Sequence, residues 1–181
     1  MGHAIIQTAL QEANENVFGP RSMSLKLIKD CPEMIPTVAQ WLYDDWHSYD
    51  KSLTLEKLVK GFEKQLTASD MPFTLIVLKE GVPIGSVSLR KEKEPEFSDI
   101  ADGNPWVGTF HVIPTERNSE VGPKLKKVVL TIAKRLGYQH VNFYTSNVSN
   151  VKKYVKMGAQ IVGTRPFRGH TVTLMKMDIT E

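Results

Sequence analysis

The residues from Trp106 to Leu136 constrain the fold most strongly, because the spacing of apolar residues changes once within them. Residues 106–113 are rich in β-branched and aromatic side chains and are followed by Pro114, which predicts a buried strand closed by a residue that cannot extend a ladder. Beyond it, apolar residues recur at helical spacing opposite the lysines; the apolar face consists of Val121, Leu125, Val128, Val129, Ile132 and Leu136. The sequence therefore predicts a buried strand that leads directly into an amphipathic helix.

A short polar turn, residues 117–122, connects this strand to the helix. The first backbone N–H groups of a helix have no partners within the helix and lie at the positive end of its dipole. A phosphate group is stabilised at such a position. The turn is therefore a candidate anion-binding site.

The same stretch resembles motif A of the GNAT superfamily of acetyl-CoA-dependent N-acetyltransferases, in which a strand ending V-x-P precedes R-G-x-G-x-G or R-x-x-G-x-A and a long helix. The matching positions are held by Val112, Pro114, Arg117, Gly122 and Leu125. Asn118 and Glu120 replace the usual glycines, which allow close approach of a pyrophosphate, and a carboxylate there repels phosphates unless it points to solvent. The resemblance implies an acetyl-CoA site formed by Val112, Arg117, Asn118, Ser119, Glu120, Val121 and Gly122.

Residues 147–159 resemble motif B of the same superfamily, N-x-x-A-x-x-x-Y-x-K-x-G-F, with Asn147, Tyr154, Lys156 and Gly158 at matching positions. The resemblance implies that Asn147 contacts the pantetheine arm of acetyl-CoA and that Tyr154 lies near the thiolate. A phenol of pKa about 10 is protonated at neutral pH and acidic enough to protonate a leaving thiolate. Tyr154 is thus the predicted catalytic residue, and packing of a short helix is its alternative role.

The order of predicted elements indicates an α/β fold. The order is strand, helix, helix, two strands in a hairpin, strand, helix, strand, helix, strand, strand. Alternation in the second half predicts a partly parallel sheet, and the hairpins keep it mixed. We expect a GNAT-like fold, with a mixed central sheet of about six or seven strands and helices on both faces.

The chain is predicted to comprise residues 23–181 as one acetyltransferase domain and residues 1–22 as an N-terminal extension. The extension is either a short helix, with Ile5, Ile6, Leu10 and Val17 on one face, or a segment added during cloning before Met23. Residues 91–104 are polar and acidic with few core residues, and we expect a loop there.

Composition bounds the partners and the location. A net charge of +3, dispersed along the chain, gives little support to nucleic-acid binding. No apolar run approaches the roughly 20 residues of a membrane span. Cys31 is the sole cysteine, which excludes an intramolecular disulfide and a cysteine metal cluster, and the scattered histidines predict no metal site. A cytoplasmic monomer or homodimer without membrane partners is expected.

Four residues are candidates for binding the acceptor substrate. They are Trp46, Tyr49, His111 and His170. In GNAT proteins the connection between the first two helices covers the acceptor pocket, and carboxylates with aromatic rings there suit a cationic amine. Solvated helix-end charges and structural histidines are the alternatives. The general base is left open among Asp99, Asp102, Glu116 and His111.

The resemblance implies transfer of acetyl from acetyl-CoA to a primary amine of a small molecule, by direct attack in a ternary complex. An acetyl-cysteine route is disfavoured, because Cys31 is far in sequence from both motifs. The alternative function is a GNAT-fold binding or regulatory module without acetyltransferase activity, which the replacements at Asn118 and Glu120 would permit.

Overall fold

A computed structural model describes residues 1–19, 22–91, 95–100 and 102–179. Within these residues, seven strands form one sheet in the order β1-β2-β3-β4-β5-β7-β6. Only β4 and β5 pair in parallel; the other neighbours are antiparallel. The strands are β1 (Met23–Leu27), β2 (Phe73–Lys79), β3 (Val82–Arg90), β4 (Trp106–Val112), β5 (His140–Thr145), β6 (Gln160–Phe167) and β7 (His170–Asp178). The predicted mixed sheet of six or seven strands is confirmed.

Helices cover both faces of the sheet, as expected. They are α1 (Gly2–Ala13), α2 (Ile35–Trp46), α3 (Leu55–Glu63), α4 (Val121–Arg135) and α5 (Val148–Lys156). Strand β2 is apolar throughout because both of its faces are buried: Leu75 and Val77 join the core under α1 and α4, and Ile76 joins the core under α2 and α3. No helix of the described ranges is long and apolar enough to span a membrane. The cytoplasmic location stays a prediction.

The N-terminal residues pack against the rest of the molecule. Ile6, Leu10 and Phe18 are buried in the larger core. The side chain of Asn14 bonds the backbone of β1 twice, accepting from the N–H of Leu25 at 2.7 Å and donating to its carbonyl at 3.0 Å. Residues 1–18 therefore share a core with the predicted domain, while the boundary at residue 23 stays a prediction. Pro20 and Arg21, near the end of the predicted N-terminal extension, lie outside the described residues.

The acidic segment before β4 departs from the expected loop. Residues 95–100 form a 3₁₀-helix, and its Phe97 is fully buried, stacked on Trp106 with ring centroids 5.3 Å apart. One buried ring in a short helix leaves no hydrophobic period, so the sequence did not reveal it. Glu92 and Glu94 of this segment lie outside the described residues.

The sequence predicts a strand at residues 160–163, and β6 continues beyond this range to Phe167. Pro166 had argued against a longer strand, because a proline cannot donate a ladder hydrogen bond. A proline is tolerated there because β6 is an edge strand, on which the missing donor can face solvent.

Strands β4 and β5 diverge after a single pairing, Trp106 with Asn142. At the same point the Asn142 N–H donates to the Pro105 carbonyl at 2.8 Å. On its other side β4 has an irregular register against β3 between Ser86 and Ser88. The divergence opens the central sheet at the carboxyl end of β4, where α4 begins.

Candidate active site

A cavity of about 420 Å³ lies between the diverging strands. Its walls come from β3, β4, β5, β7, α2, α3, α4, α5 and the end of β6. The polar and aromatic residues among those that line it are Asp45, Trp46, Arg90, Thr109, Phe110, Lys126, Tyr144, Thr145, Asn150, Lys153, Tyr154, Phe167 and Arg168. A volume of this size suits a small-molecule ligand.

The wall formed by β4 contains a strained residue. Thr109 has φ = 46°, a left-handed conformation that is unusual for a β-branched side chain. Its carbonyl accepts a hydrogen bond from Ser86 Oγ at 2.8 Å. Among the described residues, the hydroxyl oxygens of Thr109 and Ser88 are buried without a hydrogen-bond partner. Of the two residues, Thr109 lines the cavity, and its hydroxyl oxygen lies beneath the wall.

The predicted anion-binding turn is ordered by its own side chains. Arg117 Nε donates to the Val112 carbonyl at 3.0 Å, which ties the turn to the end of β4. Ser119 Oγ donates to the Glu116 carbonyl at 2.6 Å and accepts from the Val121 N–H at 3.2 Å. Asn118 takes the left-handed conformation, with φ = 60°, that glycine would otherwise supply.

The helix that follows this turn faces the cavity through Gly122 and, one turn later, Lys126. Lys153 of α5 also lines the cavity. Positive charge from two helices beside a helix N-terminus suits a polyanionic ligand. Sequence reasoning missed both lysines, because lysines on the polar face of an amphipathic helix are usually solvated. The four-residue spacing of Lys126 from Gly122 was the available signal.

The structure places Asn147 at the start of α5, outside the cavity lining. Its Oδ1 accepts a hydrogen bond from the Ser149 N–H at 2.9 Å and so caps the helix. Asn150, which replaces the alanine of the motif, does line the cavity.

Tyr154 of α5 lines the cavity and packs its ring edge-on against Phe143, with centroids 5.1 Å apart. Burial raises the pKa of the Tyr154 phenol above its usual value. The phenol therefore holds its proton at neutral pH. The contact with Phe143 also agrees with the alternative prediction, in which Tyr154 packs the short helix.

The predicted acceptor-binding residues divide into two groups. Trp46 lines the cavity and contacts the ring of Tyr144, with centroids 6.2 Å apart. His111 lies behind that wall, with its Nδ1 2.7 Å from Asp45 Oδ2. Tyr49 and His170 meet edge to face at 4.4 Å and do not themselves line the described cavity. The sequence indicated carboxylates at the end of α2 but not the contact of Asp45 with His111, because the two residues are 66 apart in the chain.

The other candidates for a general base are held in ion pairs away from the cavity lining. Asp99 lies 2.5 Å from Arg165, whose hydrogen bonds lower the pKa of the Asp99 carboxyl. Asp102 lies 2.5 Å from His140 at the start of β5, and Glu116 lies 2.7 Å from Lys79. Of the four candidates, His111 alone is coupled to a residue that lines the cavity. Across the described ranges, no group of three His, Cys, Asp or Glu residues could hold a metal ion.

The sheet opens between its two parallel strands, β4 and β5, and the N-terminus of α4 lies at the opening. The family model described as the acetyltransferase (GNAT) family matches residues 35–159. The chain belongs to this family. No curated protein matches the chain.

Solved structures share the fold at low sequence identity. The structure of yncA from Salmonella typhimurium with its cofactor acetyl-CoA aligns with a TM-score of 0.64 at 14% identity, covering 89% of this chain and 96% of that one. An N-acetyltransferase from Staphylococcus aureus Mu50 aligns with a TM-score of 0.66 at 15% identity, covering 88% and 100%. AAC(6')-Ib in complex with ribostamycin and coenzyme A aligns with a TM-score of 0.66 at 15% identity, covering 87% and 94%.

Proposed function

We propose that this protein transfers an acetyl group from acetyl-CoA to a primary amine of a small molecule, by direct attack in a ternary complex. The observation that carries the proposal is the cavity between β4 and β5, which has a helix N-terminus at its opening and Tyr154 in its wall. Membership of the acetyltransferase family supports the acyl transfer. The acetyl-CoA and coenzyme A bound in two structures of the same fold support the choice of donor.

The residues present fit acetyl-CoA. The backbone N–H groups of the turn and of Gly122 at the start of α4 suit the pyrophosphate, and Arg117 and Lys126 add positive charge. Val107, Leu130 and Phe143 give the cavity apolar walls that suit the pantetheine arm.

Acetyl-CoA, when bound, supplies an acetyl group activated as a thioester. Arg117 and the start of α4 orient the phosphates. Asn147 caps α5 with its Oδ1 atom, which leaves its side-chain N–H groups for the pantetheine arm. The amine nitrogen forms a bond to the acetyl carbonyl carbon as the carbon–sulfur bond breaks. Tyr154 donates the proton on its Oη atom to the departing sulfur, and the nitrogen releases one proton to water, from which the phenol is reprotonated. Trp46 forms the acceptor side of the cavity, while His111 behind it and the Tyr49–His170 pair beside it shape that side.

An acetyl-transfer assay tests this proposal. The purified protein is incubated with acetyl-CoA carrying an isotopic label on its acetyl group and with a panel of small primary amines, and products are read by mass spectrometry. Labelled amide should form faster than in protein-free buffer, with release of one CoA per amide. Tight acetyl-CoA binding with no transfer to any amine would instead favour the binding or regulatory module.

A further inference from the structure

One carboxylate reaches the acceptor side of the cavity with a dedicated partner behind it. Asp45, near the end of α2, lines the cavity, and its side chain is partly exposed. Its Oδ2 atom lies 2.7 Å from Nδ1 of His111, whose ring is 9% exposed. The imidazole is itself stacked on Trp41, with centroids 5.0 Å apart and planes 18° apart.

The contact determines which ring nitrogen of His111 carries the hydrogen. An ionised carboxylate can only accept hydrogen bonds, so Nδ1 of His111 must carry the hydrogen and donate it to Asp45. Packing against Trp41 and the place of His111 on β4 leave the ring little freedom. His111 therefore fixes one oxygen of Asp45 and leaves the other available to the cavity.

The surroundings of Asp45 suit a cation on an apolar body. Trp46 and Tyr144 line the same cavity and offer ring faces and edges, whereas the face of the Phe167 ring is already covered by the guanidinium of Arg168 at 4.8 Å. The two lysines that line the cavity belong to α4 and α5, whereas Asp45 belongs to α2.

Two arginines also line the cavity, and their positions are compatible with a cation beside Asp45. Arg168 lies 3.2 Å from Asp50, which opposes its charge. An added Cβ at Gly108 would lie 3.4 Å from Nε of Arg90, so this nitrogen lies beside Gly108. Gly108 pairs with Ser88 and His111 pairs with Ser86, so the two β4 residues are separated by two residues of β3, roughly 7 Å along the strand.

We infer that Asp45, positioned by His111, binds the ammonium group of the acceptor, and that the acceptor is a small primary ammonium compound with an apolar or aromatic body. This inference rests on the proposed function, because it names the substrate class of the same site. Asp45 is the specificity-determining residue. His111 is a positioning residue that acts through Asp45.

Three probes of similar shape and different charge test the inference: 2-phenylethylammonium, 2-phenylethanol and phenylacetate. Each is titrated by ligand-observed NMR into the protein saturated with CoA and into the free protein. The wild type should bind the ammonium compound about 10- to 100-fold more tightly than the alcohol, which is the range expected of a charge-assisted hydrogen bond. Phenylacetate should bind more weakly than either.

Four variants separate charge from structure. Asp45→Asn should abolish the preference for the ammonium probe, and Asp44→Asn should keep it, because Asp44 is bonded to Gln40 at 2.8 Å and does not line the described cavity. His111→Asn retains an N–H near the position of Nδ1 and should keep most of the preference. His111→Leu fills the same buried site without a donor and should reduce the preference about threefold to tenfold. CoA affinity should be unchanged in all four.

Four results of the binding experiments would contradict the inference. A wild type that binds the ammonium compound no more tightly than the alcohol, that binds phenylacetate best, or that binds none of the probes would overturn it. Retention of the ammonium preference in Asp45→Asn would overturn it as well. Failure of the wild type to bind CoA would contradict the proposed function instead, since the ammonium preference is also measured in the free protein.

Discussion

The carboxylate of Glu120 lies 2.9 Å from the ammonium of Lys124, one helical turn further along α4. The Glu120 side chain is 60% exposed, so the carboxylate extends along the helix surface toward solvent. The sequence places a carboxylate where it would repel phosphates, and this pairing reduces that repulsion. The negative charge that replaces a glycine in the motif is partly neutralised by a lysine from the same helix.

Glu120→Gly should tighten acetyl-CoA binding about 2- to 5-fold. The change removes a negative charge from the positive end of the α4 dipole, where it repels the phosphates. Calorimetric titration measures the effect. Glu56→Gln is the control, because Glu56 forms a similar exposed pair with Lys60 at 2.6 Å on α3. Weaker binding in Glu120→Gly would show that the glutamate supports the site.

Tyr154→Phe should lower kcat about 100-fold or more and leave the dissociation constant of acetyl-CoA nearly unchanged. The substitution keeps the ring and its contact with Phe143 but removes the proton that the mechanism donates to sulfur. Steady-state kinetics and a binding titration separate the two effects. Tyr138→Phe, at a partly buried tyrosine outside the cavity lining, is the control. An unchanged kcat in Tyr154→Phe would leave Tyr154 with a packing role only.

The pH dependence of the wild type should follow from the same residue. Burial raises the pKa of Tyr154 above 10, and only the protonated phenol can donate. The proton-donor limb of the kcat profile should therefore stay flat through neutral pH and fall only above pH 10. Rates measured between pH 7 and about 11 test this. A fall of the donor limb below pH 9, absent in Tyr154→Phe, would contradict the assignment.

Cys31 should make the folded protein less stable at high pH. Burial raises the pKa of its thiol from 9.0 to about 11, and Sγ donates to the Leu27 carbonyl at 3.3 Å. Because the folded-state pKa is the higher one, this contribution is complete below pH 9 and is lost as the pH rises toward 11. Between pH 8 and pH 10 the wild type should lose about 1 kcal/mol of unfolding free energy beyond the loss in Cys31→Ala. Urea unfolding at the two pH values measures the difference, and equal losses would contradict the prediction.

The N-terminal helix should contribute to stability. Leu10 is 5% exposed in the larger core, so Leu10→Ala should lower the unfolding free energy by about 2–4 kcal/mol. Leu55→Ala, at a leucine that is 38% exposed, should cost well under 1 kcal/mol by comparison. Urea denaturation at neutral pH compares the two. Equal and small effects would indicate that α1 is dispensable to the fold.

The parts of the fold that local patterns encode could be predicted from the sequence. The change of period within residues 106–136 located β4 and α4, because apolar spacing reports directly on which face is buried. The order of the predicted elements and the resemblance to two motifs predicted a mixed sheet of about six or seven strands, and the described residues form a sheet of seven. The buried Phe97 was not predicted, since a single ring within an acidic stretch has no period.

The acceptor side of the site was harder to predict, because its contacts join distant parts of the chain. His111 was a candidate from its position on a strand, but the sequence held no sign that α2 would bring Asp45 to its Nδ1. Lys126 and Lys153 were hidden among solvated lysines of the same helices. Polar contacts between separate elements depend on packing angles that local patterns do not specify.

Calorimetric titration of acetyl-CoA into the wild type and two lysine variants tests the central claim most directly. Lys126→Glu changes a residue that lines the cavity, and Lys127→Glu makes the same change on an exposed neighbour. We expect a wild-type dissociation constant on the order of micromolar. Binding should be at least about 10-fold weaker in Lys126→Glu and within about 3-fold of wild type in Lys127→Glu. No wild-type binding up to roughly millimolar acetyl-CoA, or equal weakening by both substitutions, would contradict the placement of acetyl-CoA in the cleft between β4 and β5.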